Sequence, residues 1–478
     1  MRKTQEGPRI AEGGYRQILL IAFPLILSTG SWSLQHFVDR MFLAWYSPAA
    51  LAASTPAGIL NYTLMSLFIG TAGYVSTFVA QYVGAGRDAR IGPTVWQGLY
   101  VSLVGAIVMV CVIPLADPAF RVIGHDPTIQ RGEVVYFRIL CLGAFPAIAA
   151  SALSGFFSGR GETWPVMWAN LVATAVNIVL DYLLIFGVGG FPEMGIAGAA
   201  IATNVSMVAA LLVYGGLMFR RNQDRRFHII RGWRFDPALC SRIIRFGLPS
   251  GVQFFVDLAG FTVFLLIVGR LGTSALAATN IAFNINTLAF MPMMGLGMAV
   301  TILVGQHLGR DNPPLAERCV ASGLRITVLY MGVVALLYVL APGVFLAPYA
   351  MRADAGSFDE IRGLATVLLR FVALYSLFDV LSIVYAAALK GAGDTRFVML
   401  MMAGLSCGVL ILPTYLAIER FGGGILTGWT IATAYVSLLG VAFYLRFRAG
   451  QWKGMRVIER HEEPTSPPMA GPPDATGE

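Results

Sequence analysis

Twelve long apolar runs constrain the fold of this sequence more than any other feature. They cover residues 15–45, 50–83, 93–116, 131–158, 163–188, 195–219, 241–270, 275–308, 318–347, 360–390, 396–418 and 424–447. A helix rises about 1.5 Å per residue, so roughly twenty residues cross a hydrocarbon layer about 30 Å thick. We therefore predict an all-α integral membrane protein with twelve transmembrane helices. Proline removes a helical hydrogen bond, so bends are expected near Pro24, Pro146, Pro249 and Pro292.

The composition excludes several other classes of protein. Hydrophobic residues make up 56% of the chain and charged residues 13%, about half the charged share of a soluble domain. A P-loop motif is absent from the sequence, as is a run of paired aspartates that could hold Mg²⁺ on a diphosphate, so we predict neither an ATP-driven pump nor an enzyme. The five cysteines show no metal-ligand spacing and are expected to be free thiols. Because the arginines cluster in loops, the net charge of +8 does not indicate a nucleic-acid partner.

Basic residues in the loops predict the orientation of the chain. The polar stretch before residue 15 leads into a run too long for a cleavable signal, so the first helix is expected to remain. With the N-terminus inside, most lysines and arginines fall on the cytoplasmic side, as the positive-inside rule requires. The opposite side then holds only Arg121, Arg131, Arg270, Arg352, Arg362 and Arg420. We predict a multi-pass protein of the inner (cytoplasmic) membrane with both termini in the cytoplasm.

The two halves of the chain repeat one design. Three matched pairs carry the repeat: Pro24 with Pro249 and Gln81 with Gln306 at an offset of 225 residues, and the turn 159–163 with the turn 391–395 at 232. Each half holds six predicted helices, an even number, so both halves enter the membrane from the same side. This predicts two six-helix lobes related by a pseudo-twofold axis along the membrane normal.

The predicted domain boundaries follow from the runs and the repeat. We expect a cytoplasmic N-terminal segment (1–14), a first lobe (15–219), a cytoplasmic linker (220–240), a second lobe (241–447) and a cytoplasmic tail (448–478). The linker is polar and rich in arginine. The tail is rich in proline, glycine and glutamate, which predicts disorder.

Four acidic residues, Asp39, Asp181, Asp257 and Asp379, lie inside apolar runs. An ionised aspartate facing lipid in the middle of a helix costs about 2.5–3.5 kcal/mol on insertion scales. We therefore expect each carboxyl to face a wet cavity, to carry a proton or to hold a cation. A purely structural aspartate, hydrogen-bonded to neighbouring hydroxyls and amides, is the alternative at each position.

The first lobe groups its polar oxygens. Asn177 and Asp181 are four residues apart and share one face of the fifth predicted helix. Their oxygens, with those of Asp39 and Thr203, are the hard ligands that a small monovalent cation accepts. The second lobe has its own pair, Asp257 and Asp379.

Five motifs carry a resemblance to a known family. They are Phe37-Val-Asp-Arg40, Val83-Gly-Ala-Gly86, Asn177-Ile-Val-Leu-Asp-Tyr182, Gly247-Leu-Pro249 and Leu389-Lys-Gly-Ala-Gly-Asp-Thr395. On these motifs the chain, over roughly residues 15–447, resembles the multidrug and toxic compound extrusion (MATE) transporters, NorM/DinF-like members of the MOP flippase superfamily. The resemblance implies a multidrug efflux transporter that exports hydrophobic, often cationic, organic compounds by antiport with H⁺ or Na⁺, with alternating access between two lobes.

The resemblance also implies coupling residues. Asp39, Asn177, Asp181 and Thr203 match a first-lobe cation site of one branch, which would hold Na⁺ or a proton. Asp257 and Asp379 match second-lobe carboxylates of the NorM-like branch, where the first of these positions is commonly Glu. The chain carries both sets, so the coupling ion (Na⁺ or H⁺) and the lobe that binds it stay open. No cofactor is expected, and the protein is expected to be a monomer in the bilayer.

Adaptable aromatic and methionine side chains suit a varied substrate. As the substrate wall we predict Tyr62, Phe145, Phe254, Phe255, Met291, Met294 and Tyr375. Ordinary packing or lipid contact is the alternative for each. The alternative function is that of a flippase for lipid-linked oligosaccharides, or of another MOP-type exporter, although a polyanionic substrate would call for a more basic cavity than four aspartates provide.

Overall fold

The computed structural model describes residues 13–220, 225–350 and 355–459, and these residues form helices and connecting turns without strands. The first half contains α1 (Tyr15–Tyr46), α2 (Pro48–Gly73), α3 (Val75–Gly84), α4 (Ile91–Val112), α5 (Ala116–Ile123), α6 (Pro127–Leu142), α7 (Ala144–Ser158), α8 (Trp164–Phe186) and α9 (Ile196–Met218). The second half contains α10 (Pro237–Gly269), α11 (Thr273–Gly309), α12 (Pro313–Leu340), α13 (Pro342–Ala350), α14 (Ala355–Ala392), α15 (Thr395–Leu405), α16 (Leu412–Glu419) and α17 (Ile425–Arg448). A π-helical segment, Ser406–Ile411, joins α15 to α16.

The membrane spans agree with the predicted runs. By length and composition, eleven helices of the described chain can cross a bilayer, and the bent pair α6–α7 makes a twelfth if it counts as one span. The all-helical, multi-span architecture is therefore confirmed. Helix α10 begins at Pro237, inside the segment 220–240 that we predicted as the linker.

The bend between α6 and α7 measures 47° and lies at Gly143, three residues before Pro146. The side chain of Asn204 on α9 fills the bend, since a Cβ atom on Gly143 would lie 2.0 Å from its Cγ. The Asn204 amide donates to the carbonyl oxygen of Ile139 at 2.6 Å, satisfying a group near the interrupted helix. Pro24, Pro249 and Pro292, where we also expected bends, each lie within one continuous helix.

The two halves of the chain pack around two apolar cores, one mainly from α1–α9 and the other from α10–α17. The first core also includes buried residues of α10 and α11, among them Leu239, Ile243 and Leu303. The lobes are therefore joined along a seam where α10 packs on α2 and α11 packs on α1 and α3.

One end of the bundle, which we call the basic end, carries the arginine-rich turns after α3, α7, α9, α11 and α14 and the segment after α17. There the lobes exchange two equivalent hydrogen bonds. Gln81 donates to the carbonyl oxygen of Gly391 at 3.0 Å, and Gln306 donates to that of Gly159 at 2.9 Å. The two glutamine donors are repeat-related, and so are the two glycine acceptors. Each lobe therefore donates the same side chain to the same turn of the other lobe, and we call these two hydrogen bonds the hooks.

The ends of α3 and α11 cross between these hooks at Gly84 and Gly309, which are also repeat-related. A Cβ atom on Gly84 would lie 2.0 Å from the carbonyl oxygen of Gln306, and one on Gly309 would lie 2.2 Å from that of Gln81. Only glycine allows two backbones to approach this closely. The crossing therefore fixes the contact between the lobes at the basic end.

Residues 450–459, which we call the strap, lie across this contact and are ordered. Our prediction of disorder is therefore wrong for this part of the tail, and residues 460–478 lie outside the described chain, as do 1–12 of the N-terminal segment. Trp452 is fully buried and stacks on Phe447 with ring centroids 4.8 Å apart. The backbone amide of Val457 donates to Gln81 at 2.8 Å, so the strap contacts both lobes.

Acidification should release the strap, because Glu459 anchors it to the first lobe. The Tyr82 hydroxyl donates to Glu459 at 2.9 Å, and the Arg90 guanidinium lies 3.1 Å from its carboxylate. Burial alone would raise the pKa of Glu459, but backbone and side-chain hydrogen bonds and the charge of Arg90 outweigh burial and lower that pKa. Because the pKa of Glu459 is lowered, its charge stabilises the docked strap at pH values above the ordinary pKa of a carboxyl group. This stabilisation is lost as the pH falls through the pKa of Glu459 in the docked state.

We therefore expect hydrogen exchange at Trp452 and Val457 to accelerate as the pH falls below about 4, after correction for intrinsic exchange. Glu459→Gln should abolish this dependence, because the amide does not titrate in that range. An identical pH profile in the wild type and in Glu459→Gln would contradict the assignment.

Candidate functional site

A polar seam between α1 and α8 holds the first-lobe aspartates. Both helices run from the basic end towards the opposite end, and the Thr174 hydroxyl donates to the carbonyl oxygen of Ser31 at 3.3 Å, which sets their register. Further along the same faces lie Asp39 on α1 and Asn177 and Asp181 on α8. All three are buried, with exposed fractions of 5%, 0% and 0%. Helical spacing thus brings the predicted residues to one place.

The amide of Asn177 bridges the two carboxylates. Oriented to donate, its nitrogen lies 3.1 Å from Oδ1 of Asp39 and 3.2 Å from Oδ2 of Asp181. The two carboxyl groups also lie close enough to interact with each other. The other oxygen of Asp181, Oδ1, is buried and has no hydrogen-bond partner among the residues that the structure describes.

This geometry excludes a site with two bare carboxylates. Two adjacent charges of one sign, buried in a low-dielectric environment, cost several kcal/mol unless a proton or a cation lies between them. An orphaned buried oxygen adds about 1–3 kcal/mol of uncompensated desolvation. The pair is therefore suited to take up and release one positive charge.

Thr203 does not join this group. Its hydroxyl donates to the carbonyl oxygen of Ala199, one turn back on α9, at 3.0 Å, and no hydrogen bond joins it to Asp39 or Asp181, which are both described. Three of the four predicted first-lobe ligands are thus together. Sequence reasoning missed Tyr136 on α6, which lies within electrostatic range of both carboxylates, and nothing in its local sequence marks it.

The second-lobe aspartates form a separate and more accessible site. Asp257 on α10 and Asp379 on α14 are both partly exposed and interact electrostatically with each other across the lobe. Asp257 also interacts with Lys390, whose ammonium donates to Gln253 at 3.3 Å. These contacts run between helices, so the carboxylates face the interior of the protein and not the lipid.

Lys390, the last residue of the run predicted at 360–390, adds a positive charge to the second-lobe site. It belongs to the last turn of α14, its side chain points back towards Asp257, and its backbone carbonyl accepts a hydrogen bond of 2.6 Å from the Tyr74 hydroxyl of the first lobe. The second-lobe site therefore contains a built-in cation as well as two acids.

The two acidic sites lie at different depths. By the repeat, the first-lobe equivalent of Asp257 is Trp32, seven residues before Asp39 on α1. At about 1.5 Å per residue this places Asp39 roughly 10 Å further from the basic end. The pseudo-symmetric halves thus present negative charge at two levels of the bundle.

Aromatic side chains connect the lobes at the middle of the bundle. Tyr62 on α2 lies 5.2 Å from the ring of Trp32 on α1 and 6.1 Å from that of Phe254 on α10. Phe255 and Met291 are partly exposed, and Met294 is exposed.

The other two predicted wall residues differ in setting. Phe145 packs against the first-lobe core. Tyr375 is buried and accepts a hydrogen bond from Asn286 at 3.2 Å. Phe145 is thus placed as a packing residue, whereas Tyr62 and Phe254 lie at the seam between the lobes.

Among the described residues, no three His, Cys, Asp or Glu side chains form a group that could hold a metal ion. All five cysteines are free, as predicted. A monovalent ion at Asp39 and Asp181 would therefore rely on carboxylate and amide oxygens.

Comparisons with known proteins agree with the fold. The profile of the family described as MatE matches residues 24–183 and 249–416. The multidrug resistance protein PmpM of Pseudomonas aeruginosa is 30% identical over 392 residues, which cover 81% of this chain and 80% of PmpM. The multidrug resistance protein NorM of Burkholderia vietnamiensis is 28% identical over 381 residues, covering 80% and 82% of the two chains.

Solved structures share the architecture. A multidrug resistance MATE family transporter in an outward-facing conformation superimposes with a TM-score of 0.83 at 22% identity, covering 95% of this chain and 100% of that one. A MOP superfamily transporter from Pyrococcus furiosus gives the same TM-score, identity and coverage. The matched profile spans both lobes and more than half of the sequence. The chain therefore belongs to the MATE family of multidrug efflux transporters, which are membrane carriers and not enzymes.

Proposed function

We propose that this protein exports hydrophobic, often cationic, organic compounds across the inner membrane in exchange for inward-moving H⁺ or Na⁺. The observation that carries the proposal is the buried contact of Asp39, Asn177 and Asp181, in which one carboxylate oxygen has no partner within the described part of the chain. Such a contact is stable only with a proton or a cation, so its charge must change when either leaves.

Competition for negative charge would couple the two fluxes. A cationic substrate is favoured while the carboxylates are charged, and a bound proton or Na⁺ removes that attraction. One elementary charge that crosses 100 mV supplies about 2.3 kcal/mol, enough to hold a gradient of about fifty-fold. Substrate and ion must also prefer different states of the carrier, since equal preference shifts no equilibrium.

The proposed states differ in the contact between the lobes. We take the basic end as cytoplasmic, because it holds the arginine-rich turns. Among the described residues, the hydrogen bonds between lobes lie from the middle of the bundle, at Thr29 and Met291, to the basic end. This arrangement corresponds to an outward-open carrier, and inward opening would break the hooks of Gln81 and Gln306.

Efflux from proteoliposomes driven separately by an imposed Na⁺ gradient and an imposed pH gradient tests the proposal. We expect dye export with one of the two gradients and its collapse on addition of the matching ionophore. Dye efflux that is indifferent to both gradients would refute coupled export. A flippase for lipid-linked oligosaccharides would instead alter envelope precursors in cells and leave dye efflux unchanged.

Asp379→Asn should lower gradient-driven export at least tenfold, because the second lobe would lose one of the two acids that attract a cationic substrate. The initial efflux rate per reconstituted molecule measures the effect. Glu317→Gln is the matched control, since Glu317 is an exposed acid that pairs with Lys453 away from both sites. Equal rates in Asp379→Asn and in the wild type would remove Asp379 from the mechanism.

A further inference from the structure

A basic cavity of about 630 Å³ opens at the basic end, outside both acidic sites. Its walls are the first turns of α10, the turn that leads into α15, and the strap. Four of the lining side chains are arginines, Arg242, Arg245, Arg396 and Arg456. The lining thus brings guanidinium groups from three separate parts of the chain together.

The acidic residues of this cavity already have partners. Asp394 accepts a hydrogen bond of 2.7 Å from Arg446, which lies outside the lining. Glu459 is held by Tyr82 and Arg90 of the first lobe. Glu459 also pairs with Arg242 of the lining at 3.7 Å, so within the described chain neither carboxylate pairs with Arg245 or Arg396.

Two of the arginines lack a carboxylate partner within the described chain. Arg456 pairs with Asp311 at 2.8 Å. Arg242 pairs with Glu459 at 3.7 Å and donates to the backbone of the strap at 3.2 Å. Arg245 and Arg396, in contrast, form no ion pair with any described carboxylate, and both are exposed. The cavity therefore offers two available guanidinium groups to an anion.

Apolar side chains continue from these arginines towards the middle of the bundle. On α10, Leu248 is 42% exposed and lies three residues after Arg245. On α15, Leu400 is 64% exposed and lies four residues after Arg396. Each arginine thus stands one helical turn before an exposed apolar residue, the spacing expected between a contact with a lipid headgroup and a contact with its acyl chain.

From this juxtaposition we propose that the cavity binds the phosphate group of an anionic phospholipid, with acyl chains along Leu248 and Leu400. Guanidinium groups bind phosphate oxygens through two parallel hydrogen bonds, which suits this ligand. The excess of positive charge favours headgroups with a net negative charge, such as phosphatidylglycerol, over zwitterionic ones. A soluble phosphate would use the same guanidinium groups but would gain nothing from the leucines.

The bound lipid would also brace the strap. Met455 and Arg456 form one wall of the cavity, and the same segment carries Val457 to Gln81 of the first lobe. A headgroup between this wall and α10 therefore stabilises the docked strap. The inference does not depend on which compounds the carrier exports.

Retention of lipid by the full-length protein in detergent tests the site. We expect native mass spectrometry to show phosphatidylglycerol, and not phosphatidylcholine, on the wild type, with about tenfold weaker binding to the double variant Arg245→Ala/Arg396→Ala. Arg234→Ala/Arg318→Ala is the matched control, since it removes two exposed arginines of the basic end that lie outside the cavity. Thermal unfolding in detergent without added lipid checks that both variants are folded.

Each outcome decides the proposal. Equal binding of phosphatidylglycerol to the cavity variant and to the wild type would overturn it. Equal loss in both double variants would show a diffuse charge effect and would also overturn it. Inorganic phosphate is the second probe. If millimolar phosphate protects the wild type against thermal unfolding while phosphatidylglycerol does not bind, the ligand is a soluble anion and the lipid assignment is wrong.

Discussion

Asp39→Asn and Asp181→Asn, each made singly, are expected to reduce gradient-driven export by more than tenfold with normal insertion into the membrane. Asparagine keeps the size of the side chain but cannot exchange a proton, and one remaining carboxylate no longer needs a cation to offset its neighbour. The initial rate of dye efflux from proteoliposomes, per molecule of reconstituted protein, measures the loss.

Asp117→Asn is the control for these variants. Asp117 pairs with Arg138 near the end of the bundle opposite the basic end and is about half exposed, so its loss should leave the export rate within about twofold of the wild type. If Asp39→Asn and Asp181→Asn both export at the wild-type rate, the buried pair is a packing feature and the coupling site lies elsewhere. If only one of the two is inactive, the pair carries its charge on that residue.

Gly309→Val should hold the basic end open and lower export by more than tenfold. Even a single Cβ atom at this position would lie 2.2 Å from the backbone oxygen of Gln81, so α3 and α11 must separate before valine fits. Separation breaks the paired hooks and leaves the carrier unable to reach the outward-open state. Electron paramagnetic resonance with spin labels at Glu162 and Glu317, one on each lobe, should show a longer distance than in the otherwise unchanged protein.

Gly332→Val provides the comparison, because a Cβ atom on Gly332 in α12 meets no atom within 4 Å. This variant should export normally and keep the wild-type label distance. An unchanged distance in Gly309→Val would show that the crossing yields without opening. Normal export in Gly309→Val would show that close contact at this point is dispensable.

Hydropathy predicted the spans closely because one physical requirement dominates them. The run predicted at 163–188 corresponds to Trp164–Phe186, and the run at 195–219 to Ile196–Met218. The grouping of Asp39 with Asn177 and Asp181 was also accessible, since residues four apart share a helix face and a charged group in an apolar run must find partners. In these cases the local sequence and the membrane impose the same solution.

The failures share a different cause. Lys390 ends an apolar run, and nothing in its local sequence shows that its side chain reaches back to Gln253 and interacts with Asp257. The composition of the strap predicts disorder, yet Trp452 is fully buried, and its segment packs on α14 as well as on the preceding helix α17. Thr203 satisfies its hydroxyl on its own helix, an outcome that a serine or threonine in a helix always has available. Tertiary contacts decide each of these, and a single sequence does not display them.

The hooks between the lobes end on main-chain oxygens, and this has a consequence for how a duplicated gene can diverge. The backbone carbonyls of Gly391 and Gly159 are present whatever side chains surround them. The contact between the lobes therefore depends on the course of the backbone and tolerates substitutions around it. The second half could therefore acquire Asp379 and Lys390, where the first half has Ala147 and Ser158, without losing its hydrogen bonds to the first half. Internal duplication thus allows the two lobes to move symmetrically, and substitutions away from the hooks allow the two lobes to carry different charged groups.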